Sequence, residues 1–186
     1  MDLHEAIRTR RSVRSYEDRP VAHELLAKVI EEAVWAPSGV NLQPWTFVIV
    51  EGREALAACS AAAKAQLAAE ALRRPDLGPL RGMLEAPDFN MFYDAPALVV
   101  ICATTPDEMA MKDCCLAAQT LMLAARGAGL GTCWIGFAEQ WLASPDGMRR
   151  LGIPEDARPV APIIIGYPRG EAHAPERRPP EIRYAG

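Results

Sequence analysis

Two short segments in the first fifty residues carry the side chains best suited to chemistry. Residues 8–16 read RTRRSVRSY and gather Arg8, Arg10, Arg11 and Arg14 around Ser12. Guanidiniums this close repel one another unless an anion lies among them, and their forked donors suit a phosphate. Residues 36–47 read APSGVNLQPWTF. Between its two prolines, Asn41 and Gln43 each carry donors and acceptors, which suits the mixed polar edge of a flat heterocycle. Taken singly, the first segment is a solvated helix end and the second a surface loop. Taken together, a phosphate grip and an amide reader point to a nucleotide-like cofactor.

The rest of the composition narrows the chemistry. A net charge of −4 over 186 residues argues against general nucleic-acid binding and makes the arginine cluster a local site. Cys59, Cys102, Cys114, Cys115 and Cys133 show no CxxC spacing, and an odd count fits reduced thiols in a cytoplasm. His4, His23 and His173 are too few and too scattered for a metal site or a histidine triad, so no metal is expected. No export signal is visible at the N-terminus, and Cys114–Ala125 is too short an apolar run to span a membrane. The run GAGLG precedes a strand-like stretch and does not follow one, so a separate dinucleotide fingerprint is not expected.

Several elements must hold these side chains. Asp2 and Glu5 form a capping pair for a first helix, with Leu3 and Ile7 on its buried side. A second helix follows Pro20, with Leu25, Leu26, Val29, Ile30, Ala33 and Val34 at helical spacing, and stops before Pro37. Thr46–Val50, Ala97–Ala103 and Val160–Tyr167 read as strands, the first two buried, and Gly131–Phe137 as a strand or extended turn. Ala55–Leu72 and Asp107–Arg126 read as helices, the latter ended by Gly127 and Gly129, and a short helix runs through Trp141 and Met148 to Leu151. Residues 74–96 are irregular, with Met83, Phe89, Met91 and Phe92 looking exposed. Helices alternating with apolar strands give one α/β or α+β sandwich, and 186 residues suit a single domain.

RTRRSVRSY followed by APSGVNLQPWTF resembles the opening of the nitroreductase family, the FMN-dependent NAD(P)H oxidoreductases. GAGLGTCWIGF at 127–137, IGYPRGE at 165–171 and the following Arg177-Arg178-Pro179 fit the same pattern in the same order. The resemblance covers Leu3 to about Tyr184 and is weakest from Ala55 to Phe92. It implies an α+β nitroreductase-like fold across 1–186, a mainly antiparallel sheet flanked by helices, and an extension at 168–186 that crosses onto a partner subunit. It further implies a cytoplasmic homodimer with FMN at the interface. Arg10, Arg11 and Ser12 match phosphate-binding positions, Arg177 and Arg178 match a second contribution from the tail, and Arg14 matches a contact to the flavin's pyrimidine or ribityl oxygens. Pro37, Ser38, Gly39, Asn41 and Gln43 match the segment donated by the neighbouring subunit. Cys133, Trp134, Ile135 and Gly136 match the stretch beside the ring, with the N–H groups of Ile135 and Gly136 aimed at N5 and O4.

By the same resemblance NADH or NADPH reduces the flavin at N5, and a nitroaromatic, a quinone or a related small acceptor takes the electrons in ping-pong order. No catalytic side chain is then required, because the cofactor carries the redox chemistry. Cys133 reads as packing, with nothing nearby to activate its thiol. Family members place an amide after the first strand, where this chain offers only Lys64 and Gln66. Acceptor selection falls to residues 74–94. The alternatives are a same-fold dehalogenase, enone reductase or flavin-fragmenting enzyme, or a flavin-binding module without turnover.

Overall fold

Alternating apolar side chains build a four-stranded sheet in the computed structural model, which describes residues 1–73 and 81–186. The strands are β1 (Trp45–Glu51), β2 (Ala97–Ala103), β3 (Gly131–Trp134) and β4 (Arg158–Gly166), in the spatial order β1-β2-β4-β3. Every neighbouring pair is antiparallel. β2 is buried along its whole length, and its side chains divide between two layers. Leu98, Val100 and Cys102 face one, whereas Val99, Ile101 and Ala103 face the other, as the two-residue repeat of a strand requires.

The first layer holds α3 (Arg53–Ala71), through Leu56, Cys59, Ala63 and Leu67, with α4 (Arg81–Glu85), α6 (Glu139–Leu142) and α7 (Pro145–Leu151) beside it. The second holds α2 (His23–Ala33) and α5 (Glu108–Gly127), which pack Leu26, Val29, Ala117 and Leu121 against the sheet. Asp2 caps α1 (Leu3–Thr9) by accepting the Glu5 N–H at 2.8 Å, and Asp107 caps α5 by accepting the Ala110 N–H at 2.8 Å. Each such cap stabilises its helix by about 1 kcal/mol.

Four expectations change. Leu3 and Ile7 are exposed, because α1 meets the chain only along a narrow side where Ala6 is buried against α5. β1 is half-buried, since it lies at a sheet edge. Met91 and Phe92 are fully buried. The Met91 N–H donates to Ser60 Oγ at 2.7 Å, and Lys64 Nζ donates to the carbonyls of Ala86 and Phe89 at 2.8 Å each, which holds this segment down on α3. The helix expected through Trp141 to Leu151 is broken in two, with Ser144 capping α7 and Pro145 opening it. His4, His23 and His173 are exposed.

Candidate functional site

The arginine segment begins where α1 ends, with Arg10 in an extended conformation. Residues 12–17 then run beside β3 and the end of β4. The Val13 N–H donates to Thr132 O at 2.9 Å, the Glu17 N–H to Tyr167 O at 2.9 Å, and the Arg169 N–H to Ser15 O at 2.9 Å. Two facing glycines admit this crossing. A Cβ on Gly131 would lie 2.7 Å from Val13 Cγ2, and one on Gly166 would lie 2.8 Å from Tyr16 Cδ1 and 2.5 Å from Pro96 Cδ. Tyr16 is buried at this crossing, and its hydroxyl donates to Val13 O at 2.7 Å. Burial pushes its phenol above the usual range.

Side chains along the segment meet two environments. Ser12 lies beside the Cys133 thiol, which donates to Trp134 O at 3.5 Å, and the Arg14 guanidinium lies 5.7 Å from the centre of the Tyr93 ring. Burial raises the Cys133 thiol, with Arg14, the Ser12 contact and Arg10 only partly opposing it. The thiol therefore stays protonated at neutral pH, as a packing residue would. Arg10, which also lies near the Cys133 thiol, lines with Arg11, Arg126 and Thr132 a cavity of about 710 Å³ bordered by tail residues 170–174. Arg11 turns back, donating to Arg8 O at 2.7 Å and Arg10 O at 2.8 Å. Arg10 has no carboxylate partner among the described residues, so its charge is available to an anion. Arg177 and Arg178 lie further along the exposed tail and do not line this cavity.

The amide loop is strained and tethered. Val40, Asn41 and Gln43 all adopt left-handed φ, at 43°, 58° and 49°. Such conformations cost on the order of 1 kcal/mol each outside glycine, and concentrate where function demands a shape. Ser38 Oγ accepts the Gln43 N–H at 3.0 Å, and Gln43 Nε2 donates to Asn41 Oδ1 at 3.2 Å. The Gly39 N–H points between the two oxygens of Asp113, at 3.3 and 3.2 Å. A Cβ on Gly39 would lie 3.3 Å from Met109 Cγ, so a small residue suits this contact. Around the amides, Trp35 is 84% exposed, Val40 91% and Leu42 70%.

Sequence reasoning missed Asp113. It is 4% exposed on the face of α5 that otherwise buries Ala110, Cys114, Ala117, Ala118, Leu121 and Ala125. A carboxylate on an apolar stripe was the available signal, since burying one needs a specific donor.

The arginine segment and the amide loop do not meet within one chain. The first lies along β3 and the second leads into β1, at opposite edges of the sheet. Three strand spacings amount to about 14 Å. No residue of 37–43 lines the arginine cavity.

Beyond β3, the expectation for Ile135 is corrected. Its N–H donates to Pro162 O at 2.8 Å and is not free for a ring. Gly136 lies past this contact and is exposed. Cys133 and Ile135 are buried, while Trp134 is half-buried and donates from Nε1 to Glu139 Oε1 at 2.6 Å. Lys64 serves the chain's own carbonyls, and Gln66 Nε2 donates to Glu70 Oε1 at 3.3 Å. Of the stretch expected to select acceptors, residues 74–80 lie outside the described residues; in the remainder, Tyr93 and Asp94 again take left-handed φ. Among the described residues no helix is long and apolar enough to cross a membrane.

Comparison with known proteins agrees with this architecture. The model of the nitroreductase family matches residues 7–167. A Methanothermobacter thermautotrophicus protein, provisionally named an NADH dehydrogenase/NAD(P)H nitroreductase, is 35% identical over 173 residues, covering 90% of this chain and 78% of its own length. The 5,6-dimethylbenzimidazole synthase of Rhodospirillum rubrum is 31% identical over 177 residues, covering 90% of this chain and 82% of its own. A nitroreductase from Bacteroides fragilis, solved with bound FMN, superimposes with a TM-score of 0.83 at 26% identity, covering 97% of this chain and 95% of that one. The chain belongs to the nitroreductase family, a family of oxidoreductases.

Proposed function

We propose that this protein is an FMN-dependent oxidoreductase that takes electrons from NADH or NADPH and passes them to a small nitroaromatic, quinone or related acceptor. The observation carrying the reading is the arginine segment, where Arg10 lines a cavity of suitable size and has no carboxylate partner among the described residues. A half-buried guanidinium beside a hydroxyl-bearing wall fits a phosphate monoester. FMN has that group at its end, whereas FAD would need room for an adenylate beyond it. The FMN-bound relative and the NAD(P)H-linked relative support the same assignment.

In this reading Arg10 and Ser12 hold the phosphate, and Arg14 sits toward the ring or ribityl oxygens. Asn41 and Gln43 read the pyrimidine, with Pro37, Ser38 and Gly39 setting the loop. Cys133 and Trp134 pack beside the ring, and Gly136 remains able to offer its N–H. When bound, FMN supplies the two-electron chemistry at N5. The protein's part is to bind and orient it, and a positive Arg14 near the ring favours the anionic reduced form.

The working unit is a homodimer. Each site takes the β3 edge from one chain and the amide loop from the other, with Arg177 and Arg178 reaching across on the tail. Exposed Leu3, Ile7, Trp35, Val40 and Leu42 give the partner an apolar surface. We read residues 1–186 as one domain and its location as cytoplasmic, in keeping with the buried, unpaired thiols of Cys59, Cys102, Cys114 and Cys133.

A second reading is the flavin-fragmenting enzyme of the same fold that the family resemblance admits, for which bound FMN would be substrate; the Rhodospirillum rubrum relative is named a 5,6-dimethylbenzimidazole synthase. One experiment covers both. The purified protein should release FMN on denaturation, bleach under anaerobic NADH or NADPH, and recover its full flavin absorbance when an acceptor is added. Release of FAD, or no flavin after reconstitution, overturns the FMN assignment. Bleaching followed by permanent loss of flavin in air supports the second reading.

A further inference from the structure

Arg126 occupies the last turn of α5, with its side chain half-buried against the same cavity as Arg10. Its Nε donates to Thr9 Oγ1 at 3.0 Å, and that hydroxyl in turn donates to Glu5 O at 2.7 Å. Thr9 therefore fixes one edge of the guanidinium, while the Nη groups have no partner among the described residues. A cation in the last turn also complements the helix dipole, which is the ordinary explanation for an arginine here. That role needs only proximity to the helix end. It does not account for a guanidinium held by a second helix and lining a cavity beside another unpaired arginine.

The groups around it favour an anion. Arg10 and Arg11 approach from the segment after α1, Thr132 from β3, and Glu171 and His173 from the tail. Arg11 is already used by two backbone carbonyls. Glu171 is the one carboxylate on the wall, and it makes no ion pair with Arg10 or Arg126 among the described residues. Among the described residues two guanidiniums thus remain without a counter-charge on the wall of a space large enough for a nucleotide's terminal group.

We propose that Arg126 is a further phosphate-binding residue, held in place by Thr9 and acting together with Arg10 on the flavin's phosphate monoester. The proposal rests on the FMN reading above and adds a residue to it. Forked donors from two different elements would fix the phosphate more firmly than Arg10 alone, because each can donate in the plane of a separate oxygen pair.

The test is titration of the apoprotein with FMN and with riboflavin, which lacks the phosphate, for wild type, Arg10→Gln, Arg126→Gln and Arg126→Lys. The expected result is that Arg126→Gln weakens FMN at least tenfold and leaves riboflavin within twofold, with Arg126→Lys in between. Thr9→Val should weaken FMN by a smaller factor in the same selective way. The thermal midpoint of each apoprotein shows that the fold is retained. An FMN affinity within twofold of wild type in Arg126→Gln overturns the proposal, as does an equal loss for riboflavin. With FMN saturating, a KM raised for NADPH but not NADH in Arg126→Gln would assign the arginine to the nicotinamide nucleotide's phosphate and also overturn it. If wild type binds neither flavin, the functional reading itself fails, which is a separate outcome.

Discussion

The two edges of the sheet hold their functional groups in opposite ways. At the β3 edge, the arginine segment is pinned by backbone: it pairs with Thr132 and Tyr167, crosses over Gly131 and Gly166, and takes a return bond from Arg169. Its cations project from a regular extended frame. At the β1 edge, the amide loop has left-handed residues at 40, 41 and 43 and is tied to the protein body through Asp113. One edge obtains its shape from strand-like pairing, the other from strain restrained by a buried charge. Affinity for an anion tolerates some movement of long arginine side chains, whereas reading a ring edge depends on short amides held at a set angle.

Complementation gives the largest expected effect. Arg10→Ala in one chain and Asn41→Ala/Gln43→Ala in the other should each hold FMN poorly as homodimers. Mixed dimers should regain one wild-type site of two, because the intact arginine edge of one chain meets the intact loop of the other. Flavin stoichiometry on purified heterodimers measures this. If both edges served the same chain's site, every site in the mixture would carry one lesion and no tight site would appear.

The next test separates the edges by ligand. Arg10→Ala should weaken FMN by roughly tenfold to a hundredfold, corresponding to about 1.5–3 kcal/mol for a charged hydrogen bond, and should leave riboflavin nearly unchanged. Asp113→Ala should weaken both flavins alike, since it frees the loop proposed to read the ring. It also strands the Gly39 N–H, a loss of about 1–3 kcal/mol in stability. Asp113→Asn keeps an acceptor and should recover most of both. Calorimetric titration and urea unfolding read the two quantities, and a phosphate-dependent loss at Asp113 would erase the contrast between the edges.

Alkaline pH probes the footing of the β1 edge. Cys114 lies under the loop, with its thiol 3.9 Å from Pro44 O. Burial raises it from an ordinary 9.0 to about 12, and does the same for Cys102. Because the folded value is the higher one, their contribution is complete below pH 9 and declines as pH climbs toward 12. Each group alters stability by up to about 1.4 kcal/mol per pH unit across that window. Cys114→Ala should flatten the decline in unfolding free energy between pH 9 and 11.

The smallest effect belongs to Cys133→Ala, which should leave NAD(P)H oxidation within about twofold, in line with a small packing change. Abolished turnover with FMN still bound would mean that a thiol takes part in the chemistry.

Legibility in the sequence followed how local each cause was. The cap at Asp2, the helical spacing of α2, and the apolar run of β2 depend on neighbours in the chain, and all were readable. The exposure of Leu3 and Ile7 was not, because a helix's apolar stripe shows that something covers it without showing whether that cover is the same chain. Met91 and Phe92 looked exposed because their burial depends on Ser60 and Lys64, far away in sequence. At the site, the types of Arg10, Ser12, Asn41 and Gln43 were visible, whereas the Ile135 N–H required knowing that Pro162 stands opposite. Asp113 was overlooked for the same reason: its partner Gly39 lies 74 residues earlier.

The glycine pair at 131 and 166 also bears on the order in which the chain assembles. The notch they form exists only once β4 has joined β3, and Pro96, just before β2, must be in place to complete its wall. Within residues 12–17, Val13 needs Thr132, and Ser15 and Glu17 need residues as distant as Arg169 and Tyr167, before their backbone bonds form. Residues 12–17 therefore wait for Tyr167 and Arg169 before they are fully seated, and contacts of such long sequence separation form slowly. In pulsed hydrogen exchange during refolding, the amides of Val13 and Glu17 should gain protection after those of Val99 and Ile163. The arginine edge proposed to hold FMN would then be among the last surfaces to take shape, so that flavin capture would report a chain already folded.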